Sequence, residues 1–165
     1  MLIEHLGETR RKLLASFEHL SDPQLNTRAG SDACSVAEVV HHLYRSEMKT
    51  AMIALDGLSL HANGAGERDL SVLEEEVRRN PVRPARLDNT FTKDELTGLL
   101  DASRFEYLQH VFNETHVEAL AKKSLEHPVY GTISLKNLID TIWLNERHHL
   151  GMIEAIKASL QGSPD

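Results

Sequence analysis

The sequence lacks the features that mark several large classes of protein. It has one cysteine, Cys34, which excludes an internal disulfide bond and fits a reducing compartment. No apolar run reaches the roughly 18 residues that a membrane-spanning helix needs. Residues 1–14 interrupt their apolar positions with charges every few residues, which is not the pattern of a secretory signal. Together these absences predict a cytoplasmic protein.

The sequence also has fewer basic than acidic residues. The chain has 18 Lys and Arg against 25 Asp and Glu, which gives a formal net charge of -7 at pH 7. This balance disfavours broad electrostatic binding to nucleic acid or to an anionic membrane surface. The sequence also has no glycine-rich phosphate-binding loop and no GxSxG nucleophile elbow. We therefore expect a small-molecule substrate or ligand, or another protein chain, as the partner.

What the sequence does contain is the material of one helical domain. Hydrophobic residues make up 41% and charged residues 26%, the ordinary balance of a globular protein. Apolar residues recur at intervals of three and four along four long segments, and the third of these includes Phe105 in its apolar face. The pattern predicts a single all-α domain over residues 1–165, an antiparallel four-helix bundle with a short extra helix near residues 71–80.

Start and stop signals set the bounds of the predicted helices. The first helix runs over about residues 2–20 and ends before a proline. Ser35–Glu38 and Thr92–Glu95 have the spacing of capping boxes, which predicts that the second and third long helices begin there. The segment His127–Gly131 reads as a turn, and Ser134 is the predicted N-cap of the last helix.

The last long segment carries polar residues inside an apolar stripe. The stripe consists of Leu135, Leu138, Ile142, Asn145, His149, Met152 and Ile156. Asn145 and His149 are four residues apart, so their side chains project from one helix face and converge. Burying such groups without partners costs about 1–3 kcal/mol each. Either a core hydrogen-bond network with water or a metal or ligand site would satisfy them, since bundle cores are where helical proteins hold metals.

A second pair of histidines lies in the predicted second helix. Adjacent residues on a helix point about 100° apart, so at most one of His41 and His42 shares the core face. His42 lies three residues after Val39 in the apolar pattern, which favours His42 as the residue that faces the same cavity as His149. The dipeptide His148-His149 in the last helix repeats the arrangement.

Three segments resemble the DinB-like (YfiT-like) superfamily. They are SVAEVVHHL at Ser35–Leu43, HPVYG at His127–Gly131 and NERHHLGMI at Asn145–Ile153, and the resemblance extends over nearly the whole chain. It implies a four-helix bundle that holds a divalent metal with three histidines, one from the second helix and two from an HxxxH motif of the last helix. In this sequence it implies His42 and His149 as ligands, and it makes a homodimer plausible.

The sequence departs from that superfamily at two positions. Asn145 stands where the first histidine of HxxxH is expected, and Met152 stands where a glutamine often lies. Asparagine offers a neutral carbonyl oxygen, which suits hard cations better than the zinc or nickel that imidazoles favour. Because two of the ligands are imidazoles, we predict zinc or nickel held by His42 and His149. The amide oxygen makes Asn145 a weak third ligand for such a metal. The alternative third ligands are His148, Glu47, His5 and His19.

The resemblance implies a metal-dependent hydrolase or a thiol S-transferase that uses a low-molecular-weight thiol such as bacillithiol or mycothiol. Three protein ligands would leave open positions where water or a thiolate is activated at neutral pH. The alternative is a degenerate member without a metal, which acts as a small-ligand-binding or interaction module. Cys34 is interpreted as a loop residue, and Trp143, beside the stripe, as a packing residue.

Overall fold

The computed structural model describes residues 1–63 and 66–162, so Gly64, Ala65 and residues 163–165 of the predicted domain lie outside the described residues. The helices are α1 (Leu2–Phe17), α2 (Asp22–Leu25), α3 (Val36–Gly57), α4 (Leu70–Arg79), α5 (Lys93–Ala102), α6 (Gln109–Glu114), α7 (Val117–Lys122) and α8 (Leu135–Gln161). A π-helical segment, Ser103–Leu108, joins α5 to α6 in one continuous rod. Strands β1 (Ser124–His127) and β2 (Gly131–Ser134) precede α8.

The predicted four-helix bundle is confirmed, with α1, α3, α8 and the α5–α6 rod as its long members. Helix α8 lies between α1 and α3, and α3 also packs against α5 and the π-helical segment. Gly57 at the end of α3 lies against Leu135 at the start of α8, and a Cβ at Gly57 would be 2.8 Å from Leu135 Cδ2. The missing side chain therefore lets two antiparallel helices approach closely at that end. No helix among the described residues is long and apolar enough to cross a lipid bilayer.

The capping signals fix the ends of the long helices. The Ser35 hydroxyl accepts from the Glu38 N–H and the Glu38 carboxylate accepts from the Ser35 N–H, which confirms the capping box at the start of α3. Thr92 and Ser134 cap α5 and α8 in the predicted places. The predicted end of α1 was wrong by three residues, because Ser21 caps the short α2 and the chain must turn before it.

Besides the short α2, two local features were not predicted. The turn His127–Gly131 is flanked by the antiparallel strands β1 and β2, in which Leu125 faces Ile133, so this connection is a hairpin rather than a plain loop. Four-residue strands are too short to show a period of two clearly. Phe105, predicted to face the core, is 65% exposed because the π-helical segment interrupts the regular helical periodicity there.

The apolar core is divided into two clusters along the bundle axis. One cluster lies around Leu6, Leu108 and Leu138, and the other around Leu13, Leu43 and Leu100. Between them the bundle buries a layer of charged side chains.

Candidate functional site

His42 of α3 and His149 of α8 lie together in the core. Their rings are tilted by 41° and their centroids are 5.0 Å apart. His149 is 2% exposed and His42 is half-buried. His41 points elsewhere and contacts the ring of Phe91, with centroids 5.2 Å apart. The structure therefore brings together the two histidines that the spacing had paired.

The His149 ring is held in one orientation by its own helix. His149 Nδ1 is 2.8 Å from the backbone oxygen of Asn145. Because a carbonyl oxygen can only accept, Nδ1 carries the proton and the lone pair of Nε2 is left for a ligand. Burial lowers the pKa of His149 to about 4 and also lowers the pKa of His42. Both imidazoles are therefore neutral at pH 7, the form in which histidine binds metals.

Among the residues that it describes, the structure does not identify a third metal ligand beside His42 and His149. Asn145 is half-buried, and its backbone oxygen is already bound to His149. The ring of His148 lies edge-on to that of His149, with centroids 5.2 Å apart. In the part of the chain that the structure describes, no three His, Cys, Asp or Glu side chains are grouped so that they could hold a metal ion. The donors that are brought together here are two imidazoles, which suit zinc or nickel, and Asn145 as the third ligand stays a prediction.

The other alternative third ligands are engaged elsewhere. His5 stacks on Trp143 at a centroid distance of 4.2 Å, and His19 contacts Glu18 at the surface. Trp143 is buried and donates from Nε1 to Asp140 Oδ1 at 2.8 Å, so its interpretation as a packing residue agrees with the structure. The carboxylate of Glu47 is bound by arginines.

Those arginines belong to an ionic cluster formed by Arg10, Glu47, Arg104 and Glu146, one residue from each long rod of the bundle. Arg104 Nη2 is 2.8 Å from Glu47 Oε2 and 2.6 Å from Glu146 Oε1. Arg10 Nη2 is 3.1 Å from Glu47 Oε2, and Arg10 Nε is 3.3 Å from Glu146 Oε2. Each arginine thus contacts both carboxylates, and the cluster is electroneutral. Burial raises the pKa of Glu146, against the effect of the arginines.

Further hydrogen bonds complete the cluster. Arg10 Nη1 donates to the Leu100 oxygen and Arg104 Nη1 to the Leu6 oxygen, both at 2.8 Å. Ser103 Oγ donates to Glu47 Oε1 at 2.7 Å. Ser103 and Arg104 open the π-helical segment, a feature that often marks a locally specialised part of a helix. The π-helical segment thus places Ser103 and Arg104 within hydrogen-bonding distance of the Glu47 carboxylate.

Sequence reasoning missed the ionic cluster although a signal was present. Arg10 stands four residues after Leu6 and three before Leu13, so it occupies a core position of the first apolar stripe. Glu47, Arg104 and Glu146 have equivalent positions, each four residues after an apolar one. Exposed charges such as Arg147 and Glu154 share this spacing, so it makes the four residues candidates for burial without showing their pairing. Two charges of each sign fit a buried layer, because an unpaired charge is too costly to bury.

A second ion pair fastens the loop after α4 to the start of α3. Arg28 Nε and Nη2 each donate to the Glu38 carboxylate at 2.8 Å, and the Leu87 N–H donates to Glu38 Oε2 at 2.8 Å. The Arg28 hydrogen bond, with those from the backbone, holds the pKa of Glu38 at about 2 rather than its ordinary 4.5, in spite of burial.

We expect this lowered pKa to make the protein acid-sensitive. The contribution of Glu38 to stability is complete above pH 4.5 and is lost as the pH falls towards 2, because the unfolded chain takes up the proton first. A Glu38→Gln variant should therefore have a lower melting temperature than the wild type at pH 6, by a few degrees. The difference should shrink between pH 4.5 and 2.5 in a calorimetric series, and a difference independent of pH would contradict the prediction.

The fold and the site together place the chain among the helical-bundle proteins that carry a polar site in the core. The chain belongs to the DinB superfamily, whose sequence profile matches residues 5–153. It is 24% identical over 167 residues to the uncharacterized protein YuaE of Bacillus subtilis (strain 168), an alignment that covers 94% of this chain and 96% of YuaE.

Two solved structures share the fold. YfiT from Bacillus subtilis is described as a probable metal-dependent hydrolase with an unusual four-helix bundle topology. It matches with a TM-score of 0.65 and 20% identity, over 98% of this chain and 87% of YfiT. TT2238, described as a four-helix bundle protein, matches with a TM-score of 0.62 and 18% identity, over 93% of this chain and 96% of TT2238.

Proposed function

We propose that the protein is a metal-dependent enzyme, a hydrolase or a low-molecular-weight-thiol S-transferase, acting on a small-molecule substrate. His42 and His149 would hold a divalent metal, zinc or nickel, with Asn145 as a weak third ligand. The observation that carries the proposal is the pair of neutral imidazoles 5.0 Å apart between α3 and α8. The description of YfiT as a probable metal-dependent hydrolase supports the class of reaction.

A bound divalent metal would supply a Lewis acid that lowers the pKa of a bound water or thiol. The chain's own contribution is to prepare the ligands. The backbone oxygen of Asn145 fixes the tautomer of His149, and burial keeps His42 and His149 unprotonated. A backbone carbonyl is one of the usual partners by which proteins orient a metal-binding histidine. The amide at position 145 makes the donor set weaker than three imidazoles.

The first test is the metal content of untagged protein purified without chelator, measured by mass spectrometry. We expect zinc or nickel at close to one ion per chain in the wild type, and its loss in His149→Ala because one of two imidazole ligands is removed. His19→Ala is the matched control, since that histidine is 90% exposed and should leave the metal content unchanged. Wild-type protein that neither contains nor takes up zinc or nickel would contradict the proposal.

One observation favours a second candidate function. The described residues offer no group of three His, Cys, Asp or Glu side chains for a metal, so the site is also suited to a metal-free module that binds a small ligand. In that case His42 and His149 would be neutral hydrogen-bonding groups for that ligand. Failure of metal uptake in the same measurement, with a folded protein, would favour this candidate.

A further inference from the structure

A cleft lies at the end of the bundle where α3 begins, and none of the four residues of the ionic cluster lines it. It consists of two adjoining cavities of about 290 and 310 Å³ that share Cys34 and Arg83. The walls of the first include Arg86 and Glu38, and the walls of the second include Met152 and Ile156. We call the two together the Cys34 cleft. One half is cationic and the other is mostly apolar.

The cationic half contains two arginines without a carboxylate partner. Arg86 Nη1 donates to the Ser31 oxygen at 2.7 Å, and Arg83 Nη2 donates to the Asp32 oxygen. Within residues 1–63 and 66–162, neither guanidinium forms an ion pair. These backbone bonds hold both side chains against the same loop and use only part of their five N–H donors. Asp32 also lines the second cavity, so the two arginines leave a local excess of one positive charge in a chain of net charge -7.

Two carboxylates line the cleft, Asp32 and Glu38, and within the described residues neither forms an ion pair with Arg83 or Arg86. Glu38 is engaged by the fork of Arg28, at 2.8 Å to both donors, and by the backbone N–H groups of Ser35 and Leu87. Arg28 Nη2 also donates to the Leu87 oxygen at 3.0 Å. These bonds tie the loop that carries Arg83 and Arg86 to the start of α3. The cationic half is thus built on a fixed frame.

We propose that the Cys34 cleft binds a small organic anion, whose carboxylate lies between Arg83 and Arg86 and whose apolar part lies against Met152 and Ile156. Guanidinium groups bind carboxylates through paired hydrogen bonds, and their weak hydration suits a partly enclosed site. A mostly apolar pocket with a few convergent polar groups is typical of small-ligand sites. The inference goes beyond the proposed metal-dependent function and does not need the metal.

Cys34 provides a direct test because it is the only cysteine in the chain. Its thiolate displaces iodide from either iodoacetate, an anion, or iodoacetamide, which is neutral and of similar size. The ratio of the two alkylation rates, divided by the same ratio for glutathione, measures the local enrichment of a carboxylate. We expect a value of about 10 for the wild type, in the range that focused positive charge gives. Intact-mass spectrometry follows the reaction.

Arg83→Gln and Arg86→Gln should each lower this ratio, and the double variant should return it to about 1. Arg79→Gln is the matched control, since it removes the same charge from an arginine that lies outside the cleft and is 73% exposed. A wild-type ratio of about 1 would overturn the proposal. So would a fall in Arg79→Gln equal to that in Arg83→Gln, because the effect would then reflect only the overall charge.

A second measurement decides the matter if Cys34 reacts with neither reagent. Hexanoate and 1-hexanol are titrated into ¹⁵N-labelled protein, with the amide signals of Cys34, Arg86 and Ile156 as reporters. Saturable shifts with hexanoate would support binding in the cleft if two comparisons hold. The affinity should be at least tenfold lower for 1-hexanol, and it should be at least tenfold lower for hexanoate in the Arg83→Gln/Arg86→Gln variant. Absence of shifts at these amides would overturn it. Repeating the titration in His149→Ala separates this outcome from that of the metal proposal.

Discussion

Replacing Arg104 with methionine is expected to lower the free energy of unfolding by about 3–5 kcal/mol, the usual result of removing one partner from a buried ion pair. The guanidinium of Arg104 lies within 2.8 Å of both Glu47 and Glu146. Without it, two buried carboxylates share the single charge of Arg10, and the Leu6 oxygen loses its side-chain donor. Urea unfolding followed by circular dichroism measures the change.

The control for this experiment is Arg79→Met, which removes a solvent-exposed ion pair with Glu75 and should change stability by less than about 1 kcal/mol. Replacing all four residues of the ionic cluster by methionine or leucine should instead be neutral or stabilising by about 1–4 kcal/mol, since no charge is then left unpaired. An Arg104→Met variant as stable as the wild type would show that the cluster contributes nothing.

Replacing Asn145 with histidine is expected to tighten the binding of zinc or nickel at least about tenfold, or about 1.4 kcal/mol. The new imidazole would project from α8 one turn before His149, on the same face. The hydrogen bond that orients His149 would persist, because it uses the backbone oxygen of residue 145 rather than the side chain. Competition with a chromogenic chelator gives the affinity.

Asn113→His serves as the matched control, since it adds a histidine to the exposed surface of α6 and should leave the metal affinity unchanged. If Asn145→His binds metal no more tightly than the wild type, position 145 does not belong to the ligand set. If the wild type binds no metal and Asn145→His does, the native site is degenerate and the metal-free candidate function gains support.

The sequence predicts the long helices well because their signals are local. The capping boxes at Ser35 and Thr92 and the N-cap at Ser134 depend on residues only three apart, and all three form as predicted. The π-helical segment is different, because the contacts of its side chains with Glu47 and Glu146 come from other helices. Periodicity within one segment therefore could not place Phe105.

In the candidate site, too, local spacing predicted some features, and contacts between distant residues decided the others. Helical spacing selected His42 over His41 and paired it with His149, and the structure brings those two rings together. Spacing could not show that Glu47, a suggested ligand, is bound to Arg10 and Arg104, because those contacts span 37 and 57 residues of sequence. The third ligand position depends on such distant contacts, which is why it stays a prediction.

The electroneutral layer between the two apolar clusters also restricts how the helices can slide past one another. Leucine, valine and alanine side chains on either side of the layer are interchangeable enough that a shift by one turn, about 5.4 Å, would still bury apolar surface. The same shift of any one rod would withdraw Arg10, Glu47, Arg104 or Glu146 from the layer and leave three charges that cannot balance. We therefore expect these four side chains to help fix the alignment of the helices along the bundle axis while contributing little net stability. The fully apolar quadruple variant should then show additional amide signals from shifted alignments.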